Sequence, residues 1–292
     1  ASDMVIDIHV HPAFFDPINE DERLEELRHN ELNLHKNGTA ALAHFFNKMK
    51  CAKIDRCVLL PEDYNTSMNG ITLVSNKEVA RLVDMAPDKF IGFASIDPND
   101  PECLEKLEEA FEVLHLKGLK LHPSRQHFHP SDKKMDPIYD LCEKYDKPIL
   151  FHAGLSLEPH TTTKNCRPID FEDLANERPN LRFCLAHFGW PWCKETAMLM
   201  LKYPNVYTDT SALYFDSAKE FYTQMLTQDV PMTWIDRSLR HQVMFGTNDP
   251  RFEMIRMSKA IEELGFRAST IELIKSRNAI DFMHYDPAGG ER

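Results

Sequence analysis

The segment IDIHVHP, residues 6–12, is a strand-like run that ends in two histidines and a proline. Side chains alternate between the two faces of a β-strand, so the pattern predicts Asp7, His9 and His11 on one face and the apolar residues on the other. Burying three polar groups together costs free energy unless a partner satisfies them, and a metal ion is one such partner. A partly exposed edge strand is the alternative.

Seven more apolar runs follow, beginning near residues 57, 89, 118, 147, 181, 205 and 242, and helical patterns lie between them. Eight βα units match a closed (β/α)₈ barrel. An open, doubly wound sheet usually carries a G-x-G-x-x-G or P-loop motif after its first strand, and this chain contains no G-x-G. We therefore predict an α/β fold, a single TIM-barrel domain over residues 1–292. Its core spans about residues 4–284, and residues 12–50 form an inserted, lid-like segment after strand 1.

The composition excludes several classes of partner. Lys and Arg total 34 against 46 Asp and Glu, and the net charge of -12 disfavours binding to nucleic acid or to an anionic membrane. No stretch approaches the roughly 18 apolar residues of a membrane span. The seven cysteines form no C-x-x-C pair, as expected for reduced thiols in a cytoplasmic protein. A small molecule is the expected partner, and the oligomeric state, including a homo-oligomer, stays open.

Polar residues recur where the predicted strands end, which is where a TIM barrel builds its active site. A single histidine at a strand end is more often structural than a ligand. Four imidazoles that reach one rim together with an amide or carboxylate favour a metal site. Zinc suits these donors, and manganese, iron and cobalt are alternatives. The strand-end residues are His9 and His11 on strand 1, Lys120 and His122 on strand 4, His152 on strand 5, His187 on strand 6, and Asn248 with Asp249 on strand 8.

These strand ends carry five motifs: H-x-H at residues 9–11, GLKLHP at 118–123, FHAG at 151–154, AHFG at 186–189 and FGTNDP at 245–250. As a set, over about residues 4–284, the motifs resemble the amidohydrolase superfamily, in particular its amidohydrolase-related branch. The resemblance implies one divalent metal ion held by His9, His11 and His152. It also implies that His187 lies near the metal-bound water or the substrate, and that an acidic residue on strand 8 binds the metal or moves a proton.

The strand-8 motif departs from that branch. Its members usually read G-T-D-x-P or G-S-D-x-P, so Asn248 stands where their aspartate does. Strand alternation sends Asn248 and Asp249 to opposite faces, and a bulge at Thr247 would turn Asp249 inward. An amide oxygen can coordinate metal weakly, but an amide cannot take a proton from a metal-bound water near neutral pH. Both residues are therefore candidates: Asn248 as metal ligand and catalytic residue, and Asp249 as catalytic residue or helix cap.

Basic residues on strand 4 and its following loop predict a site for an acidic substrate. Lys120, His122 and Arg125 are the candidate substrate-binding residues. Lys120 has two further interpretations: a carbamylated bridge to a second metal ion, or a structural ion-pair partner.

The function expected from these features is hydrolysis of an amide or lactone by a metal-activated water, with His187 or Asp249 moving the proton. A metal-dependent decarboxylase or other lyase on the same barrel is the near alternative, because Asn248 favours reactions that need no base on strand 8. A barrel that binds metal without turnover and acts as an interaction protein is the alternative of another class.

Overall fold

The strands of the computed structural model, which describes residues 4–34, 38–214 and 216–288, form a parallel barrel and one small hairpin. In chain order they are β1 Ile6–Val10, β2 Arg56–Leu59, β3 Glu62–Tyr64, β4 Ile71–Val74, β5 Phe90–Gly92, β6 Ala94–Ser95, β7 Leu119–Leu121, β8 Ile149–Phe151, β9 Phe183–Leu185, β10 Val206–Asp209 and β11 Val243–Met244. Strands β3 and β4 pair antiparallel. The others are parallel, with β5 and β6 as two parts of the third barrel strand.

Backbone hydrogen bonds between the first and last strands close the barrel. The N–H of Ile8 donates to the Phe245 carbonyl at 3.0 Å, and the N–H of Asn248 donates to the His9 carbonyl at 2.9 Å. The third strand is continuous across Phe93, whose N–H donates to Leu59 at 3.1 Å. The described residues thus form a ring of eight parallel strands, and the predicted TIM barrel is confirmed.

Helices follow each barrel strand, as the alternating sequence pattern predicts. They are α1 Glu22–Leu32, α2 Leu42–Ala52, α3 Asn76–Met85, α4 Cys103–Glu112, α5 Asp136–Lys144, α6 Glu172–Glu177, α7 Cys193–Lys202, α8 Ala218–Thr223, α9 Met232–Asp236, α10 Met254–Glu262, α11 Ala268–Glu272 and α12 Asn278–Met283. Two π-helical segments, Gln224–Asp229 and Leu273–Arg277, extend α8 and α11. None of the described helices is long and apolar enough to cross a membrane.

The apolar residues form two clusters. The larger one packs the helices against the outside of the barrel and includes Val10 and Phe45. The smaller one joins residues of several strands, such as Ile8 and Leu150, with Phe282 of α12, and so fills the barrel interior. The polar site lies at the other end of the strands.

The predicted insertion, residues 12–50, contains short 3₁₀ turns, α1 and most of α2; its residues 35–37 lie outside the described part of the chain. Buried Arg28 holds α1 against β4 and α3 by donating to the Leu73 carbonyl at 2.7 Å and by pairing with Glu78 at 2.8 Å. Glu78 also completes the capping box of α3 with Ser75. Helix α1 is therefore held by polar contacts that its own sequence periodicity does not reveal.

Candidate metal centre

A cavity of about 30 Å³ lies at the carboxyl ends of the barrel strands. Leu32 and Leu34, at the end of α1, form part of its apolar rim with Leu157 and Leu213. Most of the predicted site residues line the cavity: His9, His11, Lys120, His122, His152, His187 and Asn248. Arg125 and Asp249 do not.

A β-bulge in β1 sets the directions of the first two histidines. Pairing with β2 slips between Asp7 and Val10, so strict alternation is broken there. His9 and His11 both line the cavity, as predicted, whereas Asp7 faces strand 8 and accepts hydrogen bonds from the Thr247 N–H (3.1 Å) and hydroxyl (2.5 Å). The prediction that Asp7 shares a face with both histidines is therefore wrong.

The FHAG and AHFG motifs meet in space, and Gly154 makes this approach possible. A Cβ on Gly154 would lie 2.2 Å from the Trp190 carbonyl oxygen. His187 and Phe188 have left-handed φ angles of 62° and 53°, which residues other than glycine adopt at a cost in backbone strain. The two motifs thus fix the backbone that carries His152 and His187.

Asp209, at the end of β10, orients two of the histidines. Its Oδ2 lies 3.0 Å from His9 Nδ1, and its Oδ1 accepts the backbone N–H of His187 at 3.1 Å and the Ser211 hydroxyl. His187 Nδ1 lies 2.8 Å from Ser211 Oγ and 3.2 Å from the Ser211 carbonyl. These acceptors place the ring protons of His9 and His187 on Nδ1, which leaves each Nε2 with a lone pair.

The remaining two histidines lie beside these rings: the ring centroids of His9 and His11 are 5.1 Å apart, and those of His152 and His187 are 5.2 Å apart. His9 Nε2 and His11 Nε2 lie 3.2 Å apart, and the buried Nδ1 of His11 has no partner among the described residues. His152 Nε2 lies 3.1 Å from the Leu155 carbonyl, so its lone pair is on Nδ1. We call His9, His11, His152 and His187 the histidine cluster; its lone pairs are the donors that a divalent cation requires.

Burial keeps the histidine cluster neutral. Desolvation lowers the pKa of His187 to about 3, and it lowers the pKa of His9, His11 and His152 as well. His9, His187 and Ser211 stabilise the charge of the Asp209 carboxylate against burial and hold its pKa below its ordinary range. This carboxylate in turn opposes the lowering of the His9 pKa. Neutral imidazole is the form that binds a metal ion.

Strand 8 presents Asn248 to the cavity and turns Asp249 away. Asn248 has a φ of 70°, which asparagine tolerates better than most residues, and its Nδ2 donates to the Ala212 carbonyl at 2.8 Å. The amide oxygen is the end that remains for a ligand. Asp249 Oδ2 instead lies 2.7 Å from Lys48 Nζ of α2. The inward turn of Asp249 by a bulge, one of the two sequence alternatives, is not found.

Of the three predicted substrate-binding residues, two line the cavity and one does not. Lys120 and His122 line the cavity, whereas Arg125 pairs with Glu31 of α1 at 2.7 Å and lies over the ring of Tyr64. The N–H of Arg125 donates to His122 Nδ1 at 3.2 Å, which places the His122 proton on Nε2. His122 and His152 lie with Glu158 in a group of potential ligands, but this tautomer makes His122 a donor and not a metal ligand.

Sequence reasoning missed four polar residues of the site: Asp209, Glu62, Glu158 and Arg251. Asp209 ends a strand as His9 and His11 do, so its position was a usable signal. Glu62 lies on the unpredicted hairpin and accepts the Tyr64 hydroxyl at 3.0 Å. Glu158 and Arg251 lie on loops, where no periodicity predicts the direction of a side chain.

Residues 57–282 match the family model described as amidohydrolase. An uncharacterized TIM-barrel protein from Bordetella bronchiseptica is 21% identical with a TM-score of 0.74, covering 96% of this chain and 98% of that chain. A dihydroxybenzoic acid decarboxylase from Polaromonas, solved with manganese and the inhibitor 2-nitroresorcinol, is 15% identical (TM-score 0.68, 97% of each chain). A 4-oxalomesaconate hydratase from Rhodopseudomonas palustris is 18% identical (TM-score 0.65, 96% of each chain). No curated protein matches.

Proposed function

The chain belongs to the amidohydrolase family, and from that premise we propose that it is a metal-dependent decarboxylase of a small carboxylic acid. The proposal depends on strand 8, where Asn248 presents an amide to the cavity while Asp249 pairs with Lys48. An amide accepts no proton from metal-bound water near neutral pH, so this position supplies no base for hydrolysis. Loss of CO₂ needs an anchored carboxylate and a proton donor instead.

The histidine cluster, with the amide oxygen of Asn248, would hold one divalent ion. Neutral nitrogen donors and one oxygen suit zinc, with manganese, iron and cobalt as alternatives. When bound, the ion supplies a Lewis acid that draws electron density from the oxygen atoms of the substrate.

Lys120 would bind the substrate carboxylate, and Glu62 would supply the proton. The Lys120 ammonium pairs with the substrate carboxylate. Burial raises the pKa of the Glu62 carboxyl, so this group keeps its proton to a higher pH than an exposed glutamate. As the C–C bond breaks and CO₂ leaves, Glu62 donates its proton to the substrate carbon and later regains one from water. The net reaction converts R–COO⁻ and H⁺ into R–H and CO₂.

The test supplies the zinc-loaded protein in D₂O with a panel of aromatic and unsaturated carboxylic acids and measures CO₂ release and deuterium in the product. We expect CO₂ release with one deuterium at the vacated carbon. Glu62→Gln should lower the rate at least about 100-fold while it retains metal, since general acid catalysis contributes on this scale. Glu105→Gln, an exposed change outside the cavity, is the matched control. Equal rates in the wild type and Glu62→Gln would remove Glu62 from the mechanism.

Hydrolysis of a lactone or amide is the second candidate. Glu158 lines the same cavity, and His122, Arg125 and His152 hold the pKa of its carboxyl well below the usual range. An ionised carboxylate can accept a proton from water. Acid formed from lactones or amides without CO₂, together with no reaction of the carboxylic acids, would favour this candidate over decarboxylation.

A further inference from the structure

Arg251 places a guanidinium in the cavity three residues after Asn248. The side chain is half-buried, and its Nη2 donates to the Leu32 carbonyl at 2.7 Å. It forms no ion pair with a carboxylate of the described residues. A guanidinium carries five N–H donors, so most of its hydrogen-bonding capacity remains for a ligand.

Lys120 is a second cation in the same cavity. It is only 3% exposed and, among the described residues, has neither an ion-pair nor a side-chain hydrogen-bond partner. Burial consequently lowers the pKa of Lys120. We call Lys120 and Arg251 the cationic pair. Two like charges that have no ion-pair partner among the described residues and share a small cavity cost free energy, which an anionic ligand would offset.

The two acids of the cavity are engaged elsewhere. Glu62 accepts the Tyr64 hydroxyl at 3.0 Å. Glu158 accepts the Ser156 hydroxyl at 2.6 Å and lies 3.7 Å from His122 Nε2. The charge of Glu158 favours the protonated forms of Lys120 and Arg251 from a distance, but neither acid pairs with them directly. The cationic pair is therefore left for a ligand in a protein whose net charge is -12.

We infer that the substrate carries two anionic groups, so that it is a dicarboxylic acid, and that Arg251 binds the carboxylate that does not react; the cavity of about 30 Å³ must widen to admit it. The assignment of the reacting carboxylate to Lys120 rests on the proposed function; the binding of two carboxylates by the cationic pair does not. The planar fork of Arg251 can bind a carboxylate through two parallel hydrogen bonds, which a lysine cannot do. Arg251 thus takes the substrate-binding position that the sequence assigned to Arg125.

The experiment measures binding and not turnover. Isothermal titration calorimetry compares linear dicarboxylates from malonate to adipate with monocarboxylates of the same chain length, on zinc-loaded and metal-free protein. At one or more lengths we expect the dicarboxylate to bind the wild type about 10- to 100-fold more tightly than its monocarboxylate, the scale of a charge-assisted hydrogen-bonded pair. Arg251→Met should abolish that difference and leave monocarboxylate binding unchanged, and Arg251→Lys should retain part of it. Lys120→Met should weaken both ligands.

Arg81→Met is the control, because Arg81 is exposed on α3 and, among the residues that the structure describes, forms its one ion pair with Glu20 at 3.8 Å. Thermal unfolding checks that each variant is folded. The inference is wrong if no dicarboxylate binds the wild type more tightly than its monocarboxylate, or if Arg251→Met weakens both ligands equally. Arg251-dependent binding of dicarboxylates without any CO₂ release would overturn the proposed function alone. Release of CO₂ from a monocarboxylate that is insensitive to Arg251→Met would overturn this inference alone.

Discussion

The histidine cluster and the cationic pair share one cavity but differ in how their polar atoms are satisfied. In the cluster, Asp209, Ser211 and the Leu155 carbonyl hold ring nitrogens of three of the four histidines, so that the tautomer of each of these three is set before any ligand arrives. In the cationic pair, Lys120 has no side-chain partner among the described residues, and Arg251 donates to one carbonyl. The comparison shows that fixed hydrogen bonds to the histidine rings indicate a metal site, whereas buried cations without an ion-pair partner indicate a binding site for an anionic ligand.

Removing a member of the cluster gives the largest expected effect. His9→Ala deletes one of the two Nε2 atoms that lie 3.2 Å apart and also leaves Asp209 without its ring partner. We expect metal content to fall from about one ion per chain to nearly none, as measured by elemental analysis of protein purified without added metal. A normal metal content in His9→Ala would show that the cluster is not the metal site.

Asp209→Asn tests whether the carboxylate that contacts the histidines contributes to metal binding. The amide keeps the size of the side chain but loses the charge that holds the His9 ring and accepts the backbone N–H of His187. Loss of such a partner typically lowers metal affinity about 10- to 100-fold. Competition with a metal-binding dye measures the change, and an affinity within twofold of wild type would mean that the orientation of the rings does not depend on this carboxylate.

The pH dependence of stability tests the neutral state of the cluster in metal-free protein. Unfolded histidine titrates near pH 6.5, whereas burial lowers the pKa of His187 to about 3, so the unfolded state takes up more protons below pH 6.5. Acidification therefore favours unfolding. Relative to His187→Gln, the wild type should lose about 2 kcal/mol of unfolding free energy between pH 6.5 and 5, since one pKa unit corresponds to about 1.4 kcal/mol. Parallel pH profiles in urea unfolding would contradict the lowered pKa.

The smallest effects are expected on strand 8. Asn248→Asp puts a carboxylate where the amide now lines the cavity and should tighten metal binding about tenfold, because a charged oxygen is the stronger ligand. Asp249→Asn should leave metal affinity unchanged and lower thermal stability instead, since it removes the charge that pairs with Lys48. A loss of metal from Asp249→Asn would place that carboxylate in the metal site after all.

Much of the fold and part of the site follow from the sequence because strands and helices repeat with fixed periods. The eight strand runs, the helices between them and the strand-end histidines were predictable in this way. Alternation also separates Asn248 from Asp249, although it could not decide whether a bulge would intervene. It fails at Asp7, because the bulge in β1 adds one residue that no periodicity reveals.

Side chains on loops were not predictable. Arg125 and Arg251 are both basic residues beyond a strand end, but the first pairs with Glu31 of α1 and the second enters the cavity. Only the path of the surrounding chain decides between these outcomes. Glu62 was missed for a similar reason, because the short hairpin that carries it has no distinct sequence pattern.

The depth of the cationic pair in an acidic chain has a kinetic consequence. At long range an anion meets the field of a protein with a net charge of -12, and only inside the cavity does it meet Lys120 and Arg251. Salt screens the distant repulsion within about 10 Å at 0.1 M ionic strength but screens buried charges much less. Association of an anionic substrate should therefore become faster as ionic strength rises, the reverse of the behaviour of an enzyme that steers its substrate electrostatically.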